Sequence, residues 1–302
     1  MSKIESNFFF LILLLFIPIF HFFEPHISNN YKIQFLIFLA PLIWPGVAHG
    51  SLDFLIAKRL GLVETFIKKV FFLLIYIFLA ILFAMLWTKK PELSLTIFLI
   101  ISVFHFGISD SLIKNKISSL EIFIRGSIPI YFPIYYYSDQ VGMIFNNLYV
   151  DKFFFEELKF IIVYLFFFIH ICIVGFVLTL IKKNEKEKNN IFSEIFLLYF
   201  CFTYFEPFIA FSIYFCFFHS LRHLYDEKIE NGVSFLQIIK KTIPLTLIVF
   251  MTSIYFFFFV DIGVERNKFF PILFITLASL TVPHMILVCV SKSIKNNFKS
   301  NY

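Results

Sequence analysis

The sequence predicts an all-α fold, a multi-pass transmembrane helical bundle, and three observations carry that prediction. Of the 302 residues, 60% are hydrophobic and only 15% charged, against about 25% charged in soluble domains. Mean hydropathy is +0.86. Apolar runs long enough to cross a hydrocarbon core, which takes about 20 residues, recur near 7–23, 32–57, 70–87, 93–112, 158–181, 191–224, 243–261 and 269–290. A water-soluble enzyme built from this composition would lack the polar side chains to cover its surface. The expectation is about eight spanning helices in a single integral membrane domain over 1–302, plus a broken or re-entrant segment near 120–137.

Taken in order, the first run follows MSKIES and continues to Phe23 with no small-residue cleavage site, so it reads as an uncleaved spanning helix. The second carries WPGVAHGSLD, and the fourth ends in SVFHFGISD. The stretch 120–137 is apolar but holds Arg125, Pro129 and Pro133, which interrupt backbone hydrogen bonding and suggest a broken helix. The run at 158–181 contains a lone histidine, His170, best explained as a hydrogen-bonded bundle residue. The run at 191–224 ends in FHSLRHL, and the last carries TVPHM. Connections are short and no soluble domain fits between them. HGSLD at 49–53 and HFGISD at 105–110 echo each other weakly.

The formal charge of +6 comes from Lys and Arg between apolar runs. It reads as topology and contact with lipid headgroups, not as a nucleic-acid surface. Cys172, Cys201, Cys216 and Cys289 lie in apolar runs without a CxxC pair and are expected as free thiols. The 49 phenylalanines suggest an AT-rich genome as well as a lipid environment.

Ionisable residues inside spanning helices are functional candidates by default. His219 and His223 stand four residues apart, one helical turn on one face, which suits two bonds to a single metal; core packing is the alternative. Asp53 lies one turn beyond His49, placed to orient that imidazole, although Gly46 and Gly50 also suit a plain close helix contact. Asp110, five residues after His105, matches its face poorly and is expected to cap or pair elsewhere. Arg222 and Glu206 are expected in buried ion pairs. His49, His105, His219 and His284 each precede a lysine (Lys58, Lys114, Lys228, Lys292) by eight or nine residues, roughly 12–14 Å of helix. If those lysines mark one membrane face, the histidines share a layer. Treating 120–137 as non-spanning puts all of them, and most Lys and Arg, on one side. The positive-inside rule reads that side as cytoplasmic, with the lysine cluster at 182–188 falling opposite.

Imidazole ligation suits Zn, Cu, Fe or Ni. A site inside an apolar bundle suits a lipid-like substrate and dioxygen, which favours iron, and the absence of an HxxHH cluster favours one metal over two. PGVAHGSLD (45–53), FHFGISD (104–110), RGSIPIYFP (125–133), FHSLRHL (218–224) and TVPHM (281–285) resemble, in order, the motifs of the bacterial and archaeal Brp/Blh family of membrane β-carotene 15,15′-dioxygenases. The resemblance implies cleavage of the central double bond of β-carotene by O₂ at a non-haem Fe(II) centre, giving two retinal molecules. It implies His49, His105, His219 and His223 as iron ligands. Asp53, Asp110, Arg222 and His284 are expected to support the ligands or face substrate. It also implies a bacterial inner-membrane location in the lipid bilayer, with retinal passed to a rhodopsin-type protein. Two rival readings stand beside it: a membrane metalloenzyme acting on another carotenoid or lipid, and a proton- or ion-coupled transporter whose intramembrane His, Asp and Arg form a relay.

Overall fold

A computed structural model describes residues 2–28, 30–112, 118–180, 185–259 and 269–300. Lys114, part of the lysine cluster at 182–188, the end of the 243–261 run and the side chain of His49 lie outside the described residues. Helices form wherever the sequence is apolar, because a segment in hydrocarbon must satisfy every backbone group internally. In chain order they are α1 (Ser2–Ile27), α2 (Tyr31–Pro41), α3 (Asp53–Arg59), α4 (Phe66–Lys89), α5 (Pro91–Asp110), α6 (Ser118–Tyr136), α7 (Ser138–Asn147), α8 (Lys152–Leu180), α9 (Glu185–Tyr204), α10 (Pro207–Phe211), α11 (Leu221–Glu230), α12 (Phe235–Phe259) and α13 (Phe269–Ser300). No strand occurs among the described residues. Ser212–Ser220 winds as π-helix and Val47–Leu52 as a 3₁₀ turn, while the chain kinks within Leu42–Gly46 at Trp44, whose backbone is extended.

Among the described residues, seven helical stretches are long and apolar enough to cross a membrane: Asn7–Ile27, Ile33–Arg59, Phe66–Lys89, Pro91–Asp110, Lys152–Leu180, Phe235–Thr252 and Pro271–Lys292. The chain is a multi-pass helical membrane protein. The expected run at 191–224 is not one helix: α9 stops at Tyr204 and the chain restarts at Pro207, whose fixed φ suits a helix start. Residues 120–137, expected to be broken or re-entrant, lie almost wholly in the continuous helix α6 with both prolines inside it, a helix that is not among the seven stretches above. The helix tolerates them because its face is buried in protein, with Ile124, Arg125, Ser127, Ile128 and Phe132 all fully covered.

Helices α4 and α8 show how local chemistry sets their ends and faces. Thr65 caps α4 by accepting the Lys68 backbone N–H at 3.3 Å, and Asp151 caps α8 through Phe153 N–H at 2.7 Å. Phe71, Leu74, Phe78 and Leu82 of α4, and Phe160, Tyr164, Phe167 and Ile171 of α8, remain exposed. In water such a surface would drive aggregation; here it is the lipid-facing side.

The chain packs as two compact units. The first comprises 1–46, 102–146 and 151–223, and the second 47–101, 147–150 and 224–302. In the first, α6 packs on α8 and α9, and it meets the end of α5 backbone to backbone. A Cβ at Gly107 would strike the Ile122 carbonyl, and one at Gly126 the Val103 carbonyl. In the second, α13 lies against α4 and α12 against the 3₁₀ turn. Arg59 ties α3 to α11 through Glu227 at 2.9 and 3.0 Å and Glu230 at 3.0 Å.

Candidate metal centre

Close approach of α5 and α6 allows a buried polar chain to thread the first unit. Glu121 on α6 accepts the Ser111 hydroxyl at 2.9 Å and the Leu112 N–H at 3.0 Å. Arg125, one turn along, donates Nε to Glu121 and Nη1 to Glu194 of α9, each at 2.7 Å. Glu194 takes a second guanidinium, Arg222 Nη2, at 2.7 Å. Arg222 in turn donates to the Asp110 backbone carbonyl at 3.3 Å and stacks over the Phe218 ring at 4.2 Å.

The chain ends at two imidazoles. Asp110 accepts the Tyr214 hydroxyl on Oδ2 at 2.7 Å and meets His219 Nδ1 with Oδ1 at 3.2 Å. His219 Nε2 lies 3.2 Å from His105 Nε2. A carboxylate at Nδ1 holds the proton there and leaves the lone pair on Nε2. The gap between the two Nε2 atoms accommodates a proton carried by His105 or a cation shared by both rings. With metal–nitrogen bonds of about 2.1 Å, nitrogens 3.2 Å apart subtend roughly 100°, between octahedral and tetrahedral values. Asp110, Glu121, Glu194, Arg125 and Arg222 are all buried along this polar chain. Phe106 packs edge-on to His219 at 4.9 Å and Phe215 stacks on it at 6.0 Å, giving the imidazole an apolar, aromatic surround.

A second histidine–carboxylate pair lies in the second unit. His284 Nδ1 meets Asp53 Oδ1 at 2.7 Å, and the Tyr76 hydroxyl donates to Asp53 Oδ2 at 2.7 Å. Asp53, read from spacing as placed to orient His49, pairs with His284 among the described side chains, which do not include that of His49. Residues 47–52 wind as a 3₁₀ turn, three residues per turn instead of 3.6.

His105, Asp110, His219 and Arg222 are thus brought together in one unit, and Asp53 with His284 in the other. His223 is buried at the start of α11; a π-wound segment ends just before it, a winding that recurs at functional sites. No group of three or more His, Cys, Asp or Glu side chains stands ready as a complete metal shell among the described residues, which do not include the His49 side chain. His170 behaves as a structural histidine, Nδ1 on the Phe166 carbonyl at 2.8 Å and Nε2 on the Tyr199 hydroxyl at 3.1 Å. Glu206 accepts Ser28 Oγ at 2.7 Å and the Gln34 side-chain amide. The four cysteines are free.

Sequence reasoning passed over Glu121, Glu194, Tyr214 and Tyr76. The two glutamates carried a usable signal, since a carboxylate within an apolar run needs a partner; the tyrosines, two of fourteen, carried none.

The family model for β-carotene 15,15′-dioxygenase matches residues 40–291. A β-carotene 15,15′-dioxygenase from uncultured marine bacterium 66A03 is 30% identical over 260 residues, covering 83% of this chain and 91% of that protein. No solved structure matches the chain.

Proposed function

The chain belongs to the β-carotene 15,15′-dioxygenase family, and from that premise we propose that it cleaves the central double bond of all-trans-β-carotene with O₂ at a mononuclear non-haem Fe(II) site. The products are two molecules of all-trans-retinal, each new carbonyl carrying one oxygen atom, so the reaction needs no net proton transfer and no acid–base residue. The observation that supports it most is the His105–His219 pair, Nε2 to Nε2 at 3.2 Å with Asp110 behind His219. Those side chains belong to two of the motifs that resemble the family's. His49, His105, His219 and His223 are the proposed ligands.

Bound iron supplies the activation of dioxygen. The protein's own work is positional. Asp110 keeps the proton of His219 on Nδ1, and Tyr214 and Arg222 hold Asp110. Phe106 and Phe215 cover the imidazole and exclude water. A polyene substrate and O₂ both partition into the bilayer, so an intramembrane site draws on the phase where they concentrate. We place the protein in the bacterial inner membrane, with the metal layer nearer the cytoplasmic face, its retinal available to a rhodopsin-type protein.

Expression in a carotene-accumulating bacterium tests the reading. Loss of colour with a C20 aldehyde as the product supports it. Longer apocarotenals would point to a different cleavage position, and unchanged β-carotene beside inserted, iron-loaded protein would refute it.

A further inference from the structure

We propose that His284 is itself a metal-ligating histidine, held in donor orientation by Asp53 and Tyr76; the proposal rests on the iron-enzyme reading above. It comes from a repeated arrangement. In the first unit one carboxylate, Asp110, spans a histidine Nδ1 on Oδ1 and a tyrosine hydroxyl on Oδ2. In the second unit Asp53 does the same, with His284 Nδ1 on Oδ1 and Tyr76 on Oδ2, both at 2.7 Å. The two constellations are assembled from different helices: α5 and the Ser212–Ser220 segment in one, α3, α4 and α13 in the other. Their carboxylates end the two echoing segments, HGSLD and HFGISD.

The chemistry of the two is the same. A carboxylate on Nδ1 fixes the Nδ1–H tautomer, localises the lone pair on Nε2 and raises its basicity. The tyrosine hydroxyl occupies the other carboxylate oxygen, which stops the carboxylate rotating away from the ring. His284 and Asp53 are 2% and 4% exposed, so the pair is held in a low-dielectric setting where this polarisation is strong. His219, the counterpart of His284, occupies a position the family resemblance gives to an iron ligand. Asp53 and Tyr76 are then positioning residues acting through His284.

Iron retention by the full-length chain in detergent, loaded anaerobically with Fe(II) and challenged with a ferrous chelator, tests this independently of turnover. His284→Ala is expected to release iron faster than the parent and to hold less at equilibrium. Asp53→Asn should weaken binding by about 10–100-fold, and Tyr76→Phe should shift it in the same direction by less. These two near-isosteric variants keep the test usable should His284→Ala fold poorly. Restoration of iron to His284→Gly by added imidazole would add direct support. If His284→Ala and Asp53→Asn bind iron as the parent does while His219→Ala loses it, this proposal is overturned and the iron-enzyme reading stands. If the parent binds no iron, or His219→Ala leaves binding unchanged, both fall.

Discussion

Replacing Asp110 by Asn is the sharpest perturbation the geometry offers, because it exchanges one oxygen for an NH₂ group at nearly constant volume. Asp110 presents two acceptors, one toward His219 Nδ1 at 3.2 Å and one toward the Tyr214 hydroxyl at 2.7 Å. An amide retains only one acceptor. With its oxygen toward Tyr214, its NH₂ faces His219 Nδ1, and the ring must move its proton to Nε2, the atom 3.2 Å from His105. That protonates the face proposed to bind metal. With its oxygen toward His219, the Tyr214 hydroxyl loses its acceptor inside a fully buried pocket. Either way the carboxylate's charge is gone. Removing such a partner behind a metal-bound histidine typically costs 10–100-fold in affinity, about 1.4–2.7 kcal/mol. The assay is anaerobic Fe(II) titration against a competing chelator, with β-carotene cleavage measured on the same preparation. Unchanged iron affinity and unchanged cleavage in a well-inserted Asp110→Asn protein would refute the claim that Asp110 sets the tautomer of His219.

Other expectations follow from the same contacts. Arg125→Met removes the guanidinium shared by Glu121 and Glu194. It should destabilise the protein by about 3–5 kcal/mol, because buried Glu121 loses that guanidinium and Glu194 is left with Arg222; thermal unfolding in detergent measures this. Gly126→Ala drives a methyl group into the Val103 carbonyl and should cost about 1–3 kcal/mol of overpacking, lowering both the unfolding temperature and iron occupancy, since His105 sits on the displaced helix. His170→Phe should lower stability by about 1 kcal/mol for its lost hydrogen bonds and leave iron content per folded protein unchanged.

Much of the helical architecture was legible because a bilayer imposes a length: runs of about 20 apolar residues announce themselves, and seven stretches meet that test. The exception, 191–224, has an apolar composition that hides the break at Phe205 and Glu206, where a single Pro207 decides the restart. Residues 120–137 misled in the opposite direction. Arg125 and two prolines look like interruptions, yet the partners that make an intramembrane arginine tolerable lie four residues away at Glu121 and 69 away at Glu194, and the second is invisible to local reading.

The histidine motifs were legible for the same reason: imidazoles are rare in apolar runs. Their pairings were not. Asp53 finds His284 across 231 residues, and Asp110 finds His219 across 109. Helical periodicity ranks only near neighbours, so it could not reach partners this far along the chain. The poor facial match between His105 and Asp110 was by contrast informative, since Asp110 does pair elsewhere.

The central claim is that iron held by these histidines performs a symmetric cleavage. It is tested most directly by stripping the purified protein with a chelator, restoring Fe(II) in graded amounts, and counting products from β-carotene under O₂. The account predicts that activity rises with iron occupancy, with two C20 aldehydes formed for each β-carotene and each O₂ consumed. Full activity in the iron-free protein, or aldehydes of unequal chain length, would contradict it.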